Sequence, residues 1–400
     1  MTQPWRSDNW WTSNYNFREV SDKIPKNVIV HDATLRDGEQ TPGVILRKEE
    51  KLQIAQMLDE VGIHRIEAGM PAVSNEDAEA ISMIKERGLK AKIYAFVRAH
   101  PKDIALSKEC GVDGVVIEVP IGKPKLEYQF KWKAEEVLER SATAIEEAQR
   151  QGLEVVYFPY DTTRADWDDL ELVLTGIMKR TKPDSIGIVD TTGCATTSAI
   201  KYLVTNVKQL TGLPIEIHAH NDIGVAVANE LAAVEAGAEV VHGCVNGLGE
   251  RAGNAAIEEI VTALKVLYGI DMGIDFSKLK EMSELVEKLT NFKLSPNKPI
   301  VGSGNFTRES GIGIDMLFQH PLAMFSLNPE FVGQKAKVVV GKKSGAASIT
   351  TKAEELGIDV GDAEEIQEIL QAVKNKSIAT KRILTDDEFK ATVQEIQSGK

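Results

Sequence analysis

Between residues 27 and 274 one unit recurs eight times: a short β-branched run, a loop, then an amphipathic helical pattern. No other feature restricts the fold as much. The runs lie at 28–33, 65–69, 92–97, 114–119, 154–159, 185–190, 215–220 and 240–245. Helical patterns separate them, for example at 48–61, 134–151 and 224–236. Eight strands alternating with helices argue for an α/β fold of the closed (β/α)8 TIM-barrel type. A doubly wound open sheet is the alternative, but no Gly-X-Gly-X-X-Gly turn follows the first strand.

The barrel reading fixes where chemistry belongs, because active sites in this fold lie at the C-terminal strand ends. Polar groups gather there in six of the eight units: Asp37, Glu67, Arg98, Asp190-Thr191-Thr192, His218 with His220, and Asn254. Side chains alternate faces along a strand, so His218 and His220 point the same way. A bound divalent metal is the simplest use for such a pair; two hydrogen-bonded structural histidines are the plainer one. Asp37 and Asn254 add carboxylate and amide groups where a barrel would bring them. Mixed N/O ligands suit Mg, Mn or Zn without choosing among them.

Composition sets limits. The chain has 400 residues, enough for one large α/β domain plus an appendage. A formal charge of -13 and the lack of a Lys/Arg run disfavour a nucleic-acid partner. Cys110, Cys194 and Cys244 are too few and scattered for a disulfide framework or a Cys-ligated zinc, and Cys194 and Cys244 read as core packing. No stretch is long enough to span a membrane, and the polar N-terminus is not a signal peptide. A cytoplasmic location is expected. Residues 1–26, with Trp5, Trp10 and Trp11, read as an arm that packs on the body or on a partner subunit, or else as a partly ordered tail.

Longer motifs add a resemblance. Asp32-Ala33-Thr34-Leu35-Arg36-Asp37-Gly38-Glu39-Gln40-Thr41-Pro42-Gly43 resembles the opening motif of the DRE-TIM metallolyase superfamily, and more narrowly of the 2-isopropylmalate, homocitrate and citramalate synthases. Ile66-Glu67-Ala68-Gly69-Met70-Pro71-Ala72, His218-Ala219-His220-Asn221-Asp222 and Gly247-Leu248-Gly249-Glu250-Arg251-Ala252-Gly253-Asn254 are similar to theirs and stand in the same order. The resemblance spans residues 27–350. It implies Claisen-type condensation of an acyl-CoA, acetyl-CoA first, with a 2-oxo acid, in a homodimeric acyltransferase of amino-acid biosynthesis. It implies a divalent metal on Asp37, His218, His220 and Asn254, with the 2-oxo acid chelating it, and Arg36 adding positive charge at the keto oxygen. Gln40, Glu67, Arg98 and Thr191 match substrate-shell positions. Glu250 and Arg251 read mainly as an ion pair shaping their loop.

Departures from the family pattern fall on the substrate wall. Gly122-Lys123-Pro124-Lys125 stands where the synthases carry Ser-Asp-X-His, and Tyr160-Asp161 where they carry Glu-Asp. Gly313 follows Glu309-Ser310-Gly311-Ile312, in place of a histidine tied to acyl-CoA activation, and Arg308 replaces another. Lys123, Lys125, Arg164 and Arg308 suggest an extra anionic group on the substrate, with Lys125 and Arg308 as binding residues. Tyr160, Glu39 and a metal-bound hydroxide are the unranked options for a general base. Residues 275–400 read as a mostly helical accessory or lid subdomain, with helices at 279–289, 363–373 and 386–398. The chain ends before a leucine-sensing regulatory domain would fit, so feedback inhibition through one is not expected. A metal-dependent aldol or Claisen lyase is the second reading, and a non-catalytic binding homologue the third.

Overall fold

All eight expected strands form, and they close on one another. β1 (Ile29–Asp32), β2 (Arg65–Glu67), β3 (Lys92–Arg98), β4 (Gly114–Pro120), β5 (Glu154–Tyr160), β6 (Ser185–Asp190), β7 (Ile215–Ala219) and β8 (Val240–Gly243) each pair in parallel with the next, and β8 pairs with β1. The architecture is taken from a computed structural model that describes residues 3–399. Helices α1 (Lys48–Val61), α2 (Asn75–Glu86), α3 (Pro101–Glu109), α4 (Ala134–Arg150), α5 (Trp167–Arg180), α6 (Thr197–Thr211), α7 (Ala226–Glu235) and α8 (Ile257–Tyr268) link successive strands or follow the last. Each buries one stripe: on α4 it is Val137, Ser141, Ala144, Ile145 and Ala148, at the three-and-four spacing of a helix laid on a sheet.

The barrel interior has two kinds of filling. Tyr94, Phe96, Val116, Val156, Phe158 and Val189 form an apolar cluster. Beside it, register places His31 opposite both Arg65 on β2 and His242 on β8. The His31 and His242 rings stack with centroids 4.1 Å apart. Both are fully buried.

The chain divides into two compact units, Ser13–Leu294 and Met1–Thr12 with Ser295–Lys400. The division falls beyond α9 (Leu279–Thr290), because α9 holds to the barrel: Asn246 Nδ2 donates to the Ser283 carbonyl at 3.0 Å and Ser283 Oγ to Asn246 Oδ1 at 2.5 Å. In the other unit β9 (Thr307–Arg308) pairs with β10 (Lys337–Val338). Beside them lie α10 (Ile314–Gln319), α11 (Ala346–Leu356), α12 (Ala363–Thr380) and α13 (Asp386–Ser398). Ile349, Ile369, Val373, Phe389 and Val393 form its core. The tryptophan arm belongs here: the Trp11 amide donates to the Ser326 carbonyl at 2.9 Å, and Trp10 tilts on Phe331 at 5.5 Å. Among the described residues no helix is long and apolar enough to cross a membrane.

Gly187 on β6 shows how tightly the bore is filled. A Cβ there would lie 2.4 Å from two Phe158 ring carbons. Gly187→Ala is expected to cost about 1–3 kcal/mol by overpacking, lowering the barrel's melting temperature by several degrees in a calorimetric scan. An unchanged melting temperature would show that Phe158 has room to move.

Candidate active site

Three side chains converge at the C-terminal rim. Asp37 ends a turn after β1, its amide donating to the Ala33 carbonyl at 2.8 Å. His218 lies on β7, and His220 follows it on the same face. Their Nε2 atoms sit 3.3 and 3.7 Å from Asp37 Oδ2. The ligand atoms of all three residues lie within 4.8 Å of one another. Asn254 bridges to His220 through the backbone, and its Nδ2 donates to the Leu248 carbonyl at 3.0 Å. Burial opposes the Asp37 charge, but Arg36 and the two histidines overcome it and hold the carboxyl well below the usual range. Burial lowers both histidines, His220 to about 4, so they present neutral nitrogens at neutral pH. Asp37 Oδ1, His218 Nδ1, His220 Nδ1 and Asn254 Oδ1 are buried with no hydrogen-bond partner. Orphaned buried donors and acceptors are costly unless something pairs with them. Two neutral imidazoles, a carboxylate and an amide oxygen are a donor set that fits a divalent cation.

Arg36 is fixed beside this cluster. Its Nη1 donates to Asp37 Oδ2 at 2.9 Å, its Nε donates to Glu67 Oε1, and the guanidinium lies 4.2 Å from the centroid of the Phe96 ring. Burial works against the Glu67 charge, yet Arg36 and His31 hold its pKa down at about 2. His31 Nε2 bonds Glu67 Oε2 at 3.1 Å, and His242 Nε2 bonds Glu216 Oε2 at 2.6 Å. Glu216 also takes Arg65 at 2.7 Å and Ser185 at 2.6 Å. His31, Glu216 and His242 form a second cluster of metal-ligand type, but Glu67, Arg65 and Ser185, with the His242–Glu216 pair, already occupy its Nε2 and carboxylate atoms, leaving His31 Nδ1 and His242 Nδ1 without a partner. It is a buried network behind Arg36.

A cavity of about 890 Å³ opens in front of the cluster. Arg36, Asp37, Gln40, Arg98, Lys125, Tyr160, Thr191, His218 and His220 all line it, as do Phe96, Glu118, Phe158 and Trp132, which the sequence reading did not single out. Glu118 was visible there as the lone charge in the run 114–119. Other expected residues are placed elsewhere. Glu67 does not line the cavity; both its oxygens are spent on Arg36 and His31. Glu39 is held by Lys51 at 2.5 Å and by the Leu46 amide at 2.9 Å, away from the cavity wall. Arg98 does line it, but clasps Asp103 of α3 at 2.7 and 3.1 Å. Arg251 bonds Asp222, Glu250 and the Thr191 carbonyl, tying its loop to the rim.

Within the barrel unit, Lys125 is the one member of the suggested cationic set that lines the cavity. Lys123 pairs with Asp166 at 2.6 Å, outside the cavity. Arg164 clasps Asp161 at 2.7 Å, and Arg308 lies on β9 in the other unit, where its Nη2 donates to the Ile312 carbonyl at 3.3 Å. Lys125 remains, at the start of a π-helical turn, Lys125–Phe130, with its Nζ 5.2 Å from the centroid of the Tyr160 ring. Gly122 is explained by the residue just past the end of β5: a Cβ there would lie 2.2 Å from Asp161 Oδ2. Cys194, expected in the core, is exposed; Cys244 is buried as expected.

Fold and rim together define a TIM barrel that carries a carboxylate–histidine cluster at its catalytic face. Within that class the chain belongs to the HMGL-like family, whose profile matches residues 27–286; a second profile, homocitrate synthase post-HMGL domain-like, matches 300–382. The chain is 42% identical over 376 residues to a 2-isopropylmalate synthase of Methanocaldococcus jannaschii, covering 93% of this chain and 72% of that one. It is 39% identical over 374 residues to homocitrate synthase AksA of Methanopyrus kandleri, covering 93% of each. The barrel superposes on the crystal structure of hydroxymethylglutaryl-CoA lyase from Pseudomonas aeruginosa with a TM-score of 0.60 at 21% identity, covering 68% of this chain and 95% of that one.

The buried histidines tie part of the metal-free protein's stability to pH. Burial holds His242 near a pKa of about 4 and His220 likewise, while an unfolded histidine titrates near ~6.5. Between those values the unfolded chain takes up protons that the folded chain refuses. The stability these two histidines contribute is therefore lost as pH falls below about 6.5, while Asp32 and Glu118, whose carboxyls burial raises to about 7, act in the opposite sense. In metal-free protein the melting temperature of the wild type is expected to fall relative to that of His220→Asn between pH 7 and 4, and parallel profiles would contradict this assignment.

Proposed function

We propose that this chain condenses an acyl-CoA, acetyl-CoA first, with a 2-oxo acid and hydrolyses the thioester, giving a 2-hydroxy-dicarboxylic acid. The observation that carries the reading is the convergence of Asp37, His218 and His220, with Arg36 clamped beside them, at the end of a cavity large enough for a small acid and a thioester. The match of residues 300–382 to a homocitrate synthase domain, and similarity to synthases over nine-tenths of the chain, support condensation over cleavage. A homodimer in the cytoplasm goes with this reading.

The roles follow from the contacts. Asp37, His218, His220 and Asn254 would hold a Mg, Mn or Zn ion, which supplies Lewis acidity toward the keto group. Glu67 and Asp37 fix the Arg36 guanidinium on two sides, and Phe96 stacks against it, so its free N–H groups are aimed before substrate arrives. Preorganised donors of this kind stabilise negative charge developing on the keto oxygen. Phe96, Phe158 and Val189 give the cavity an apolar flank that limits water at the reacting carbon. Gln40 and Thr191 offer hydrogen bonds at the rim. Lys125 would receive a distal anionic group, carboxylate, phosphonate or sulfonate, because no carboxylate pairs with it among the described residues.

The decisive assay mixes purified protein with Mg or Mn, acetyl-CoA and a panel of 2-oxo acids, reading free thiol and product mass. CoA release with one condensed acid is expected, abolished by chelator and by His218→Ala. No release with any member sinks the reading. Lys125→Ala is expected to raise KM about 10- to 100-fold for 2-oxo acids with a distal anion, the worth of one charge-assisted hydrogen bond, and to leave neutral-tailed acids unaffected. Equal effects on both classes would remove Lys125 from substrate recognition.

A further inference from the structure

We infer that Glu118 is the catalytic carboxyl that moves protons in this cavity, an inference that rests on the condensation reading above. Four carboxylates line the cavity, and three are committed. Asp37 is held by Arg36 at 2.9 Å, Asp103 by Arg98 at 2.7 Å and Glu250 by Arg251 at 3.2 Å. Glu118 has no hydrogen bond or ion pair among the described residues. It stands on β4 at the level of Arg98 on one side and Phe158 on the other, half-buried and open to the cavity. A structural carboxylate at an inward strand position would be paired, as Glu67 and Glu216 are. An unpaired one, facing a cavity, is placed for use.

Its surroundings suit a base at neutral pH. Burial raises its pKa to about 7, and the negative Asp37 and Glu67 add to the rise against the pull of Arg36 and Lys125. Those four groups, from the turn after β1, from β2 and from the turn after β4, are the charges that act on it. Two other positions from which a base could come do not supply one. Gly313 carries no side chain to transfer a proton, and Glu39 is held away from the cavity by Lys51.

The step balances as follows. The Glu118 carboxylate takes a proton from the acetyl methyl group, breaking a C–H bond. The freed pair forms the C–C bond to the keto carbon, and the C=O π pair moves onto the keto oxygen, which faces Arg36. The protonated Glu118 then returns its proton to that oxygen. Addition of water to the thioester and departure of the thiol complete the turnover without net change at Glu118.

Glu118→Gln keeps the shape and removes the base. In metal-loaded enzyme it is expected to lower kcat about 10²- to 10⁴-fold with little change in KM for the 2-oxo acid. Loss of methyl-hydrogen exchange between acetyl-CoA and D2O should accompany it. The acidic limb of the wild-type rate profile, below which the base is protonated, should disappear; a bound dication moves that limb to lower pH without removing its dependence on Glu118. Glu118→Asp should recover part of the rate, and melting curves of both variants should match the wild type. Wild-type kcat and exchange in Glu118→Gln overturn the inference. So does a kept kcat with altered preference among 2-oxo acids, which would make Glu118 a specificity residue. Absence of CoA release by the wild type on every 2-oxo acid is a different result: it sinks the condensation reading itself.

Discussion

A guanidinium buried at the mouth of a barrel must be neutralised, and most of this interior follows from that requirement. Arg36 takes two carboxylates, Glu67 and Asp37. Glu67 then needs a second donor and finds His31. His31 stacks on His242, which needs Glu216, and Glu216 is closed off by Arg65 and Ser185. Removing one member of such a chain would leave an uncompensated buried charge, which is far costlier than the net worth of any one pair. The network therefore fixes Arg36 in position and holds Asp37 ionised, and both are conditions for the donor cluster at the rim.

Much of this was legible in the residues. Short β-branched apolar runs bounded by loops located all eight strands, with ends within a residue or two of those observed, because a barrel strand is buried over its whole length. His218 and His220 declared a shared face through their spacing, and barrel closure brings Asp37 and Asn254 to them. What stayed hidden depends on side-chain reach rather than on strand position. Sequence spacing does not say that Glu67 spends both oxygens behind Arg36, or that Lys51 claims Glu39. Nor does it separate Lys125, which faces the cavity, from Lys123, two residues earlier and paired with Asp166.

Glu118 was legible and passed over. A lone carboxylate inside an apolar strand reads as an oddity until the neighbouring strands show that its face lines a cavity. Gly122 teaches the converse lesson. It reads as a lost polar group when taken alone, but Asp161, just past the end of β5, fills the space a side chain would need. The departure at 122 and the left-handed Asp161 with its Arg164 clasp are one packing solution shared by two loops.

The rim divides its duties by strand. The carboxylate, imidazole and amide groups of the rim cluster come from the turn after β1, from β7 and its end, and from the loop after β8, whereas the π-helical turn that carries Lys125 and Gln129 follows β4 on the far side of the bore. Among the described residues the two sets share no hydrogen bond and no ladder pairing. Apart from the charge Lys125 exerts on Glu118, a lineage can therefore rewrite the far wall with little disturbance to the carboxylate–histidine cluster, since distant sites without common partners act nearly independently. Drift in what the protein accepts, under a constant way of handling it, is the evolutionary freedom this geometry leaves open.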